Sequence, residues 1–176
     1  MVIGGAASGK SEYAEELCMR LSSKKLYVAT MEPYGEEALK RIERHTTMRK
    51  AKGFDTLEKY THLSECEAKG YETILLECMS TLLANEFFTD ENYDENIFSG
   101  INKLKESCRN LVVISNKIFS DGEEYAKETQ EYRKALGRVN GKLASLADVV
   151  IEVIYGVPVV LKGQNIKLAG SKERQV

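Results

Sequence analysis

The sequence predicts an α/β fold in which a mostly parallel sheet is flanked by helices and gains an antiparallel edge strand near the C-terminus. Three observations carry this. Short apolar runs, most of them rich in Val and Ile, alternate with helical patterns; such continuous apolarity suits strands covered on both faces, as in a parallel sheet. Gly4 to Ser11 reads Gly-Gly-Ala-Ala-Ser-Gly-Lys-Ser, directly after apolar Met1-Val2-Ile3 and directly before an amphipathic stretch. The last two apolar runs are separated only by Tyr155-Gly156, a hairpin turn rather than a crossover.

Taken in order, Met1-Val2-Ile3 is the first strand, short for the centre of such a sheet. Tyr13, Leu17 and Leu21 recur at four-residue spacing and predict a helix with one core-facing stripe. Leu26-Tyr27-Val28 is the second strand, and Glu37 to Arg49 is a charged helical stretch. Thr73 to Leu76 and Leu111 to Ile114 are strands, with Ile97, Ile101 and Leu104 marking a helix between them. Tyr132, Leu136, Val139, Leu143 and Leu146 repeat at four-three-four-three spacing, which predicts a helix of roughly six turns at about 3.6 residues per turn. Asp148 closes that helix before the paired strands Val149 to Ile154 and Val157 to Leu161. Residues 1–169 read as one domain, since 176 residues suffice for a single core, and 170–176 read as a frayed polar tail.

The charge balance narrows the function. With 25 basic and 27 acidic residues, the net charge of -2 argues against a broad nucleic-acid or anionic-membrane surface. The four cysteines are far apart with no Cys-x-x-Cys pair, so neither a zinc knuckle nor a disulfide framework is expected. No apolar run approaches the roughly 20 residues that cross a bilayer, and no signal-like segment opens the chain, so a cytoplasmic protein is expected.

Gly4, Gly5, Ala6, Ala7, Ser8, Gly9, Lys10 and Ser11 match G-x-x-x-x-G-K-[ST] in full. The small residues let backbone N–H groups point inward around a phosphate, and the following helix presents its positive end. This makes the domain a P-loop, RecA-like one. Lys10 would reach the β and γ phosphates, and Ser11 would ligate Mg²⁺. A metal-side acid is expected just past a buried strand, and Thr73-Ile74-Leu75-Leu76 leads into Glu77; the competing reading is an ordinary polar strand end.

Two histidines are present. Ala38, Ile42 and His45 share one helical face, a pattern that on its own favours a satisfied, partly buried structural histidine. His62 reads as a surface residue.

The whole chain resembles the bifunctional adenosylcobinamide kinase / adenosylcobinamide-phosphate guanylyltransferase family of cobalamin biosynthesis. The resemblance rests on Gly4-Gly5-Ala6, Tyr27-Val28-Ala29-Thr30, Arg41-Ile42-x-x-His45 with Arg49 four residues on, Thr56-Leu57-Glu58, Leu75-Leu76-Glu77-Cys78 with Asn85 downstream, Ser115-Asn116 and Gly137-Arg138-Val139-Asn140. It implies that His45 attacks the α-phosphate of GTP, releases pyrophosphate and holds GMP as a phosphoramidate that the cobinamide phosphate then takes. It also implies that Ala29, Thr30, Met31, Thr46, Thr47, Met48, Arg49, Glu58 and Glu77 surround the nucleotide, with Glu58 and Glu77 sharing guanine and metal contacts in an order left open. The kinase half, using ATP or GTP, would rest on the phosphate loop, Lys10 and Mg²⁺. A homotrimer in which neighbouring subunits help enclose the site is implied as well, and association through apolar faces of the later helices is expected.

The chain departs from the family pattern at Ala7, where an arginine is usual, and at Arg49-Lys50, where Arg-Pro is usual. It also reads Lys117-Ile118-Phe119-Ser120-Asp121-Gly122-Glu123-Glu124 where Glu-Val-Gly-x-Gly-Ile-Val-Pro is usual. The last change bears on the corrinoid and the kinase reaction more than on guanylyl transfer. Two other readings stand beside this one: a small-molecule P-loop kinase with a structural His45, and a non-catalytic GTP-binding switch.

Overall fold

The computed structural model describes residues 1–33, 35–117 and 126–164, apart from the side chains of residues 36–38, 40, 41, 44 and 45. In chain order the elements are β1 (Val2–Gly4), α1 (Lys10–Leu21), β2 (Lys25–Ala29), α2 (Gly35–Ala51), β3 (Phe54–Glu58), β4 (Thr73–Glu77), α3 (Met79–Phe87), α4 (Tyr93–Ser107), β5 (Asn110–Asn116), α5 (Lys127–Leu146), β6 (Val150–Ile154) and β7 (Val157–Lys162). A 3₁₀ turn, Leu63–Glu65, lies between β3 and β4. The strands form one sheet in the order β3-β2-β4-β5-β1-β6-β7. Every neighbouring pair is parallel except β6 and β7. The register sets Ala29 beside Glu77 and Gly4 beside Asn116, so the ends of β1, β2, β4 and β5 lie along one edge.

Alternation along the strands divides the core in two. Leu26, Val28, Ile74, Leu76 and Val113 pack with residues of α3, α4 and α5. Val2, Tyr27, Ala29, Leu75, Val112 and Ile114 pack with Ala14, Leu17 and Cys18 of α1 on the other side. Each fully buried Leu or Ile contributes about 1.5–3 kcal/mol relative to exposure, which is why strands covered on both faces carry so few polar residues.

The predicted strands and the long helix are all present, and the Tyr155-Gly156 turn has positive φ at both residues, 49° and 80°, as a two-residue hairpin requires. Two elements escaped the pattern reading. β3 is an edge strand of which only Phe54 is buried, so it lacks an apolar run. α3 begins one residue after Cys78 and its first turn belongs to the site. The apolar stripes of α4 and α5 also face inward: Ile97, Ile101, Leu104, Leu136 and Val139 are core residues. The exposed apolar side chains cluster instead on the hairpin, at Ile154, Tyr155, Val157, Val159 and Leu161. On α5, Leu146 is exposed as well. The substituted Ile118–Glu124 segment and the 170–176 tail lie outside the described residues.

Candidate nucleotide site

The phosphate loop is shaped by backbone geometry. Gly9 caps α1 in the left-handed region, φ 87°, and its carbonyl accepts from Tyr13 N–H at 3.0 Å. Ala7 shares the positive φ region at 53°, and Ser8 N–H donates to Gly5 O. A methyl group on Gly4 would meet Ser8 Oγ at 2.5 Å and Val153 O at 2.7 Å, and one on Gly9 would meet Gly156 Cα at 3.3 Å. Gly156 N–H donates to Ser8 O at 2.8 Å, and Lys117 N–H to Gly4 O at 3.0 Å, so the loop is held from two sides. Lys10 Nζ donates to Gly5 O at 3.0 Å, folding the ammonium over the loop it serves.

Helix α1 packs across β1, β4, β5 and β6, and this brings its first turn over the end of β4. There Ser11 Oγ donates to Glu77 Oε1 at 2.5 Å. Tyr27 OH donates to Glu77 Oε2, so the carboxylate is gripped at both oxygens. Burial, then the neighbouring carboxylate, pushes the Tyr27 phenol well above its ordinary range, and it stays a donor. Among the described residues no cluster of three or more His, Cys, Asp or Glu could enclose a metal. The Ser11 hydroxyl and Glu77 carboxylate nevertheless fit Mg²⁺, which favours hard oxygen ligands and completes its shell with waters and substrate phosphates.

Beside this pair lies a cavity of about 100 Å³ lined by Tyr27, Ala29, Met31, Ile42, Arg49, Glu58, Glu77, Cys78 and Thr81. Arg49 is 6% exposed, and its guanidinium carbon sits 4.1 Å from the centroid of the Tyr27 ring. Tyr60 OH donates to Glu58 Oε2 at 2.5 Å, holding that acid at the rim; burial and then this bond push the Tyr60 phenol up to about 12. Thr30 stitches β2 to β4: its hydroxyl donates to Cys78 O and accepts from Cys78 N–H. Asn85 Nδ2 donates to both Thr30 O and Tyr60 O, which ties the two loop ends together. A larger cavity, about 270 Å³, sits at the opposite strand ends among core side chains such as Leu17, Ile101 and Leu143, away from the phosphate loop.

Of the predicted site residues, Ala29, Met31, Arg49, Glu58 and Glu77 meet in the smaller cavity, next to Ser11. Thr30 serves the backbone, Thr47 is exposed and back-bonds to Glu43 O within α2, and Met48 is 49% exposed. Thr46 is half-buried. Residue 45 lies in α2 between Ile42 and Arg49, three residues after one and four before the other, and both line the cavity; the His45 side chain is outside the described residues. Sequence reasoning did not assign Tyr27, Ile42, Cys78 or Thr81 to the site. His62 is exposed as expected, while its backbone N–H donates to Glu86 Oε1 at 2.7 Å.

A parallel sheet with this loop at the end of β1 and an acid at the end of β4 defines a P-loop nucleotide-binding protein. Solved structures bear on the fold alone: the chain is similar to the flagellar accessory protein FlaH from Methanocaldococcus jannaschii, with a TM-score of 0.54 and 14% identity over 93% of this chain and 77% of that one. Residues 1–161 match the family described as cobinamide kinase / cobinamide phosphate guanyltransferase, and the chain belongs to that family of enzymes. It is 32% identical to the bifunctional adenosylcobalamin biosynthesis protein CobU of Escherichia coli K12 and 31% to that of Salmonella typhimurium LT2, each over 92% of this chain and 98% of the relative. With CobP of Pseudomonas aeruginosa the identity is 26%, over 93% and 97%.

Proposed function

We propose that this enzyme phosphorylates adenosylcobinamide and then transfers GMP from GTP to adenosylcobinamide phosphate through a guanylyl-histidine at His45. The observation that carries the reading is the Ser11–Glu77 contact, which puts a hydroxyl and a carboxylate between the phosphate loop and a cavity shared with the helix that bears His45. When bound, Mg²⁺ would neutralise charge on the nucleotide phosphates. Ser11 and Glu77 would hold it, while loop N–H groups and Lys10 bind the phosphates and restrain them in line.

In guanylyl transfer the neutral form of the His45 imidazole supplies a lone pair to the α-phosphorus. A P–N bond forms as the P–O bond to pyrophosphate breaks. A phosphate oxygen of the acceptor then forms a new P–O bond as the P–N bond breaks, and the imidazole is regenerated. Arg49 and Glu58 offer opposite charges at the cavity for phosphate and base, with Glu77 on the phosphate side. In the kinase reaction the acceptor hydroxyl oxygen bonds to the γ-phosphorus of ATP or GTP as the bond to the β,γ-bridging oxygen breaks, the nucleoside diphosphate leaves, the hydroxyl proton is lost to solvent, and His45 has no part.

The test is to mix the protein with Mg²⁺ and α-³²P-GTP, denature it, and look for acid-labile, alkali-stable label on the chain. The expected result is label on the wild type and none on His45→Ala. A folded, GTP-binding wild type that stays unlabelled would leave a kinase without guanylyl transfer or a nucleotide switch. A cytoplasmic homotrimer completes the proposal; the exposed apolar hairpin supports association, and a monomer by light scattering at micromolar concentration would remove it.

A further inference from the structure

Tyr27 has no assigned role, yet it touches both sides of the site. It sits mid-strand in β2, beside Thr56 of β3 and Leu75 of β4, and is 4% exposed. Its ring is fixed edge-on against Phe54, with centroids 5.9 Å apart at 89°. The Arg49 guanidinium covers the ring face. Its hydroxyl goes to Glu77 Oε2.

A buried tyrosine needs a partner for its hydroxyl, and any backbone carbonyl would serve. Here the partner is the carboxylate whose other oxygen accepts from Ser11. The terminal torsion of a glutamate is broad and weakly restrained on its own. Two donors from two different elements, β2 and α1, fix it instead. A donor behind a ligating carboxylate commonly sets both its orientation and the affinity of the ion in front of it.

We propose that Tyr27 is a positioning residue for the cation site: it locks Glu77 through Oε2 so that Oε1 faces Ser11, and its ring sets the Arg49 guanidinium at the wall of the same cavity. The inference rests on the reading of Ser11 and Glu77 as the cation-facing pair. It separates two functions of one side chain, the hydroxyl for the ion and the ring for the nucleotide.

The probe is Mn²⁺ with GTP, its binding followed by electron paramagnetic resonance, alongside GTP binding in EDTA and a thermal melt. Tyr27→Phe keeps the ring, the Phe54 contact and the Arg49 cover. It is expected to bind Mn²⁺ about tenfold more weakly in the presence of GTP, as loss of a supporting shell does elsewhere, with metal-free GTP affinity within about twofold and a cooperative melt. Tyr27→Leu is expected to weaken metal-free GTP binding as well. Unchanged Mn²⁺ affinity in Tyr27→Phe overturns the inference. So does an equal loss of Mn²⁺ and metal-free GTP binding, which would mark a structural role only. If Tyr27→Phe does not melt cooperatively, Tyr27→His, which keeps a ring and a donor, takes its place; unaltered Mn²⁺ binding by a folded Tyr27→His alongside loss in Tyr27→Leu supports the inference, and equal behaviour of the two overturns it. A wild type that binds GTP but no Mn²⁺ removes the Ser11–Glu77 reading itself, and that control tells the two failures apart.

Discussion

Ser11 Oγ and Glu77 Oε1 lie 2.5 Å apart although one opens α1 and the other ends β4, two strands away from β1 in the sheet. The contact exists because α1 does not stay over its own strand but crosses to pack on β4 and β5. A phosphate loop alone cradles an anion. This pairing sets a carboxylate against the first turn of α1, and on the proposed reading it adds a second oxygen ligand for the cation.

Glu77→Gln tests the pair directly. The amide keeps an acceptor for Ser11 or Tyr27 but loses the charge, so both phosphoryl and guanylyl transfer are expected to fall about 10–100-fold, the usual cost of a weakened metal shell. Initial rates across a Mg²⁺ titration, beside a melt close to wild type, measure it. A rate within twofold of wild type would separate Glu77 from the chemistry.

Lys10→Met removes a cation whose contact here is a single, half-buried hydrogen bond to Gly5 O. Its stability cost should stay within about 1 kcal/mol, while γ-phosphate transfer drops by about 10²–10³, as for other donors aimed at developing charge. Single-turnover kinetics and a denaturant titration read the two effects separately.

Gly9→Ala puts a β-carbon on a residue at φ 87°, and that carbon would press on Gly156 Cα at 3.3 Å. The left-handed conformation costs a non-glycine residue about 1–2 kcal/mol. Chemical denaturation should register that loss, and nucleotide affinity should weaken in step because the strained residue is also the cap of α1.

Glu86 gives a pH prediction. It is 1% exposed, accepts from the His62 backbone N–H, and has Asp90, Lys59 and His62 around it. Burial, first of all, raises its pKa above the usual 4.5. An acid raised in the folded state contributes stability that is complete below its unfolded pKa and is lost as pH rises through the folded value. Glu86→Gln should therefore melt higher than wild type at pH 8 and close to it at pH 4, with the gap opening just above 4.5. A gap of constant size across that range would show that the charge is not the cause.

The parts of the molecule readable from sequence are those whose chemistry is local. Gly4 to Ser11 needs eight consecutive residues to declare itself, and Glu77 is visible because it follows four buried strand residues. The middles of β2, β4 and β5, at Leu26 and Val28, Ile74 to Leu76, and Val112 to Ile114, are apolar because both faces are covered. Tyr27 was hidden by the same logic: inside an apolar run it looks like core, and its partner is fifty residues on. β3 was missed because an edge strand with one buried side chain carries no periodic signal. The long-range ties made by Asn85, from α3 to the loops after β2 and β3, leave no mark in spacing.

The bond from Gly156 N–H to Ser8 O has a consequence in time. The turn that braces the loop is made 148 residues after it; at about 5–20 residues per second that delay is on the order of ten seconds. Until then the motif is a sequence without its brace, and β1 lacks its neighbour β6. Ribosome-bound chains cut back before the hairpin should carry every residue of the signature and still fail to hold GTP. The nucleotide arrives as the last guest of a nearly finished sheet rather than as a seed around which it forms.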